Sequence, residues 1–296
     1  MKYRIVGVGE VLWDIFPDGP RLGGAPANFT YHAGALGAEA TLVSRVGKDR
    51  LGSDALNRLS QLGVTTGCVE VDPILPTGTV SVGLDSGGQP RFTIHENVAW
   101  DALVGSRSSR QAVGIADAIC FGSLAQRSEI ARKTIRALVA ESPSASLRIF
   151  DVNLRQHFYS TETLEASLEL ANVLKVNETE LPRLAELFSL AGDEQTQIRN
   201  LACRFGLRTI AYTRGGRGSC LYSDGGWSEH PGFPVKVVDT VGAGDAFTAA
   251  MTHGLLAGWD LHRINDMANQ VATFVCSQSG AMPELPESIR AEFLGD

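Results

Sequence analysis

The chain has 296 residues, 44% of them hydrophobic and 20% charged, with a formal net charge of −7. That balance suits one large α/β domain with a small appendage over residues 1–296, and the absence of a basic stripe argues against nucleic acid or an anionic membrane as partner. Five scattered cysteines without a Cys-x-x-Cys pair read as reduced thiols of a cytoplasmic protein.

The first predicted element is a buried strand at 5–8. Glu10 and Asp14 interrupt the apolar stretch too early for a signal peptide, and no later apolar run is long enough to span a membrane. Gly23-Gly24-Ala25-Pro26-Ala27-Asn28 then feeds an apolar helix that Gly37 closes. Asn28 carries donors and an acceptor, which suits a polyol as well as an ordinary cap. Further strands are expected at 41–46, 118–121, 147–151, 173–176 and 209–213, with amphipathic helices at 54–62, 129–139, 163–170, 179–187 and 197–205. Such alternation predicts a mostly parallel sheet with helices on both faces and ligands at the carboxyl ends of the strands. Two alternating runs, 79–84 and 91–95, joined by residues 85–90, predict a β-hairpin. With residues 11–14 and Leu22 they could build a small separate sheet.

Near the carboxyl end stands Asp239-Thr240-Val241-Gly242-Ala243-Gly244-Asp245, followed by an apolar helical run. Glycines at a helix start let backbone N–H groups and the helix dipole hold an anion. Asp245, in the first turn, is expected to stay ionised and to take a proton from a hydroxyl. An anion cradle beside a base is what phosphoryl transfer to an alcohol requires. Two rival motifs fail. Gly7-Val8-Gly9 is followed by Leu12 where a dinucleotide fingerprint needs glycine, and Gly47-Lys48 is followed by Asp49 where a P-loop needs Ser or Thr.

The two glycine motifs, in this order and near opposite ends of the chain, resemble the signatures of the ribokinase-like, or PfkB, carbohydrate kinases, most closely the fructokinases. The resemblance implies a ribokinase-like α/β fold with a lid, at about 11–24 and 77–97, that covers the sugar and supplies a homodimer contact. It implies Asp245 as base, an anion hole from Gly242, Ala243 and Gly244, and ATP with Mg²⁺ and possible K⁺ as cofactors. Asp14, Gly23, Gly24 and Asn28 would hold the sugar, joined by Asn153 and Arg155 of Asp151-x-Asn153-x-Arg155, a run also found in 2-keto-3-deoxygluconate kinases. Arg155 could equally pair with Asp151. Asn177 and Glu180 match an element that organises water around Mg²⁺; a capping box is the alternative, and both can hold. Thr213, Gly215 and Gly218 would follow the nucleotide phosphates, unless they form only a hairpin turn, and Asn269 would border the adenine. Asp239 and Val241 lie where a monovalent cation would bind. Glu96 in the lid would repel a sugar acid, which favours a neutral sugar. Fructose is the expected substrate, 2-keto-3-deoxygluconate the alternative, and ribose or a nucleoside a more distant one. A catalytically silent sugar-binding or regulatory protein is the reading from another class.

Overall fold

The computed structural model describes residues 2–84, 90–224 and 226–295. In chain order its first half contains β1 (Arg4–Val8), β2 (Leu12–Phe16), β3 (Gly19–Gly23), α1 (Ala25–Ala35), β4 (Glu39–Gly47), α2 (Arg50–Gln61), β5 (Val69–Asp72), β6 (Gly78–Leu84), β7 (Pro90–Ile94) and α3 (Arg107–Val113). Then follow β8 (Ala118–Gly122), α4 (Glu129–Ala140), β9 (Leu147–Asp151), α5 (Thr161–Leu170), β10 (Val173–Asn177), α6 (Glu180–Phe188), α7 (Glu194–Phe205) and β11 (Thr209–Thr213). The chain closes with β12 (Ser219–Ser223), β13 (Gly226–His230), α8 (Ala243–Leu256), α9 (Leu261–Cys276) and α10 (Glu287–Leu294).

The large sheet runs β13-β12-β11-β10-β9-β8-β1-β4-β5, parallel except where β12 pairs with β11 and β13. Its central strands are largely apolar because both faces are covered, with Asp151 of β9 and Lys175 of β10 as buried exceptions. Alternate residues serve opposite sides. Val6, Phe121 and Phe150 pack with the inner faces of α4, α5, α6 and α7, whereas Ile5, Cys120 and Ile149 pack with α1, α8 and α9. The predicted parallel architecture is therefore present.

Several helices begin earlier than apolar spacing predicted, because a polar cap sets their start. Asp49, Ser160, Asp193 and Asp260 each accept a hydrogen bond from a first-turn N–H, at the heads of α2, α5, α7 and α9. The short elements α3, β5 and α10 escaped the periodicity reading.

The small sheet has the order β3-β2-β6-β7. It contains the predicted hairpin, although residues 85–89 of its turn lie outside the described residues. Asp14 sits within β2, opposite Arg21 on β3 and Val80 on β6, in the small sheet that residues 11–14 and Leu22 were expected to help build. No helix among the described residues is long and apolar enough to cross a membrane.

Candidate active site

Helix α8 starts at a turn that only glycine tolerates well. Gly242 has φ 80°, and a Cβ there would stand 2.6 Å from the Ala281 carbonyl oxygen. The loop carrying Ala281 is itself pinned: Asp239 accepts from Val241 N–H (3.0 Å) and Gly280 N–H (3.1 Å), while the buried His32 ring contacts the Ala281 carbonyl (2.9 Å). The first N–H groups of α8 therefore emerge at a fixed point, without side-chain capping.

Asp245 lies in that first turn. Asn28 Nδ2, from α1, donates to its Oδ2 (2.8 Å), so both glycine-led helices meet at one carboxyl. Burial and the nearby Asp151 push Asp245 up to about 7, against the pull of the Asn28 hydrogen bond, Lys175 and Arg155. This corrects the expectation of a fully ionised carboxylate. The group is balanced between its two forms near neutrality, where a general base is most effective.

A cavity of about 800 Å³ opens above Asp245. Asp14, Gly24, Asn28, Asn153, Arg155, Gly242 and Gly244 all line it, as does Glu10. Gly23 stands just behind, with a would-be Cβ 3.0 Å from Asp14 Oδ2. Arg155 reaches the cavity from a loop in which Asn153 and Gln156 take left-handed backbone angles, φ 44° and 49°. It is not the partner of Asp151; its positive charge instead draws down the pKa of Glu10, Asp14 and Asp245. Burial dominates all the same, holding Glu10 near 7 and Asp14 near 6.

Glu10 is a residue that the sequence reading passed over. It is buried beside the start of α1, and the Ala25 N–H favours its charged form, yet its Oε2 has no hydrogen-bond partner. Asn28 Oδ1 is likewise buried and unpartnered. Two orphaned acceptors in one wall match a ligand rich in hydroxyl groups.

A second cavity, about 360 Å³, adjoins the first. Thr213, Gly215 and Gly218 of the β11–β12 turn line it, with Ala243, Gly244 and Asn269. The rest is mainly apolar, including Phe233, Val235, Val237, Phe247 and Ala272, which fits a flat heterocycle. Asn177 and Lys175 line both cavities. Lys175 is the other residue the sequence reading left without a role. Its Nζ donates to Asp151 Oδ1 (3.0 Å), Thr248 Oγ1 donates to Asp151 Oδ2 (3.0 Å), and both members of the ion pair are buried.

Glu180 and Asp239 lie just outside both cavities. Glu180 accepts from the N–H groups of Asn177 (2.9 Å) and Leu154 (3.1 Å), and Asn177 Oδ1 accepts in return from Glu180 N–H (3.0 Å). That is the reciprocal pattern of a capping box. Glu96 is a further correction. It lines a different depression, with Asn97 and Arg127, because the chain turns away after β7. The argument from Glu96 for a neutral sugar falls with it.

A sequence profile described as pfkB family carbohydrate kinase matches residues 19–288. A fructokinase of Klebsiella pneumoniae is 32% identical over 308 residues, covering 97% of both chains. The crystal structure of a sugar kinase from Pyrococcus horikoshii in complex with ATP superposes with TM-score 0.81 at 29% identity, covering 94% of both chains. A fructokinase from Vibrio cholerae, in a form with bound fructose, ADP and calcium, gives TM-score 0.81 at 25% identity, with 99% of both chains covered. The glycine-led start of α8, the Asp245 carboxyl in its first turn and a fold shared over nearly the whole length lead to one conclusion: this chain belongs to the PfkB family of carbohydrate kinases and is a sugar kinase.

Proposed function

We propose that the protein transfers the γ-phosphoryl group of ATP to the primary hydroxyl of a ketohexose, D-fructose giving fructose 6-phosphate. The observation that carries this reading is the single carboxyl of Asp245, shared between two helix starts and facing a cavity with unpartnered acceptors. In this reading Asp14, Gly24, Asn28 and Asn153 hold the hydroxyl groups of the sugar. Asp245 takes the proton of the reacting alcohol, and the amides of Gly242, Ala243 and Gly244 hold the charge on the transferring phosphate. The apolar slot takes the adenine, with Asn269 at its edge and the turn from Thr213 to Gly218 along the phosphates.

Magnesium, when bound, supplies neutralising charge on the phosphates and keeps most of its water shell. Asn177 is placed for those waters, and Glu180 for a water-mediated role through lone pairs its backbone bonds leave available. Asp239 and the backbone at Val241 are the candidates for potassium. We assign residues 1–296 to one kinase domain whose small sheet acts as the lid. Gln156 Nε2 already ties that sheet to the Arg155 loop through the Phe92 carbonyl (2.7 Å). Ile15 and Phe92, on the same sheet, are exposed, which supports its use as a homodimer contact.

A sugar acid is the second reading, and Arg155 is the observation that favours it, since a guanidinium grips a carboxylate in two places. Against it stand three acids around the same cavity. An ADP-release screen over fructose, 2-keto-3-deoxygluconate, ribose, adenosine and tagatose tests the assignment. Turnover of fructose well above the others is expected. Preference for 2-keto-3-deoxygluconate would replace the substrate, and sugar binding without ADP release would replace the activity.

A further inference from the structure

The ammonium of Lys175 is the one buried cation where the two cavities meet, among the described residues lining either. Its Nζ lies 3.2 Å from the point where a Cβ on Gly244 would stand, directly beneath the first turn of α8. The residue comes from β10 and its partner Asp151 from β9, neighbouring strands that end together under the site. The Thr248 hydroxyl, one turn beyond Gly244, shares its single proton between the other oxygen of Asp151 (3.0 Å) and the Gly244 carbonyl (2.9 Å). The ion pair is thus locked to the same helix turn that presents the anion-binding amides.

A purely structural role accounts poorly for this placement. A buried ion pair contributes little net stability compared with well-packed apolar side chains. The neighbours in β10 are apolar and buried, so the local packing supplies no reason for a charge. The glycine at position 244 has its own meaning here: a Cβ there would crowd the Lys175 ammonium.

From this juxtaposition, and resting on the kinase reading above, we propose that Lys175 is a catalytic residue: its ammonium contacts the γ-phosphate oxygens during transfer and completes the anion hole of α8 from below. The alcohol oxygen forms its bond to the γ-phosphorus as the bond between that phosphorus and the β–γ bridging oxygen breaks. The alcohol proton goes to Asp245, and the bonding pair departs on the bridging oxygen of ADP. Lys175 keeps its protons throughout and acts as a compact positive charge held at one point, which the bulkier, planar guanidinium of an arginine does not reproduce. Burial works against the charged form, but Asp151, Glu180 and Asp245 together outweigh it and keep the ammonium protonated.

The test uses the full chain in three forms: wild type, the neutral pair Asp151→Asn/Lys175→Met, and Lys175→Arg. The double variant removes both charges together, leaving no unpaired buried ion. Two readouts are taken on the best sugar of the screen. The first is kcat and KM; the second is calorimetric binding of ADP alone and of ADP with aluminium fluoride, a mimic of the phosphoryl group in flight. For the double variant kcat is expected to fall by about 10²–10³, with KM and ADP affinity within about threefold of wild type. The extra affinity that aluminium fluoride gives the wild type should disappear. A kcat within about fivefold of wild type, or an aluminium fluoride effect that survives, overturns the proposal. If the double variant does not fold, Lys175→Arg decides: it keeps the charge but displaces it, and a wild-type kcat there overturns the proposal. Sugar binding without ADP release by the wild type would overturn the kinase reading and this proposal together. Wild-type turnover with an unimpaired variant would overturn this proposal alone.

Discussion

The two cavities share a wall at Lys175 and Gly244 but differ in the charge they carry. The larger one sets titratable side chains, Glu10, Asp14 and Asp245 with Arg155, among apolar residues such as Leu12 and Phe92. The smaller is mostly backbone and apolar surface, with Gly215, Gly216 and Gly218 on one side and Phe233 and Phe247 on the other. Specific hydroxyl groups must be matched one by one, whereas phosphates and a flat ring can be held by amides and packing. In the proposed reading, substrate choice and the pH dependence of the chemistry therefore belong to the first cavity, and the second holds the nucleotide.

The largest expected effect comes from removing the proposed base. Asp245→Asn should lower kcat by about 10²–10⁴ while ADP affinity in calorimetry stays near wild type, because the variant changes only the acid-lined side. Loss of both together would erase the division between the cavities.

Gly242→Ala attacks the turn that leads into the shared wall, on the side of the larger cavity. The new Cβ would meet Ala281 backbone within 2.8 Å and force φ 80° on a non-glycine residue. A destabilisation of about 1–3 kcal/mol, read by thermal melting, is expected together with a lower kcat. An unchanged melting temperature would show that the turn relaxes freely and that the cradle is not rigid.

The pH profile sharpens the comparison further. Asp245 must be ionised to accept a proton, and its carboxyl is held near 7, so kcat/KM should rise with pH and level off above about 7. Because Arg155 lowers the pKa of Asp245, Arg155→Ala should move that rise to higher pH. If fructose turnover survives in this variant while only sugar-acid turnover is lost, Arg155 reads carboxylates and the substrate assignment must change.

The smallest effect concerns stability. Glu10 is held near 7 by burial, above its ordinary value of 4.5. The folded protein thus binds this proton more tightly than the unfolded chain. The contribution is complete below 4.5 and disappears as pH rises through about 7. Glu10→Gln should flatten the decline in melting temperature over that range. An identical decline in the variant would move its origin elsewhere.

Much of this was legible in the sequence, for physical reasons. The strands β1, β9 and β10 are short apolar runs, and the amides of Gly242 and Gly244 are announced by glycines before an apolar helix. Residues 11–14 were legible as part of the small sheet but the extent of β2 was not, because Leu12 and Trp13 are both turned inward rather than alternating. Glu96 was assigned to the sugar because chain position cannot reveal where a segment turns after a strand. Lys175 and Glu10 carried a signal, a single charge inside or beside a buried run. Its meaning depends on which strands and helices become neighbours: Asp151 beside Lys175, and Ala25 beside Glu10. That is a property of topology and not of local pattern.

The most direct test is a crystal structure with fructose and a non-hydrolysable ATP analogue. The terminal phosphate should lie against the amides at the start of α8, with a primary hydroxyl of the sugar within hydrogen-bonding reach of Asp245. A terminal phosphate held elsewhere, or a sugar whose primary hydroxyl points away from Asp245, would contradict the account.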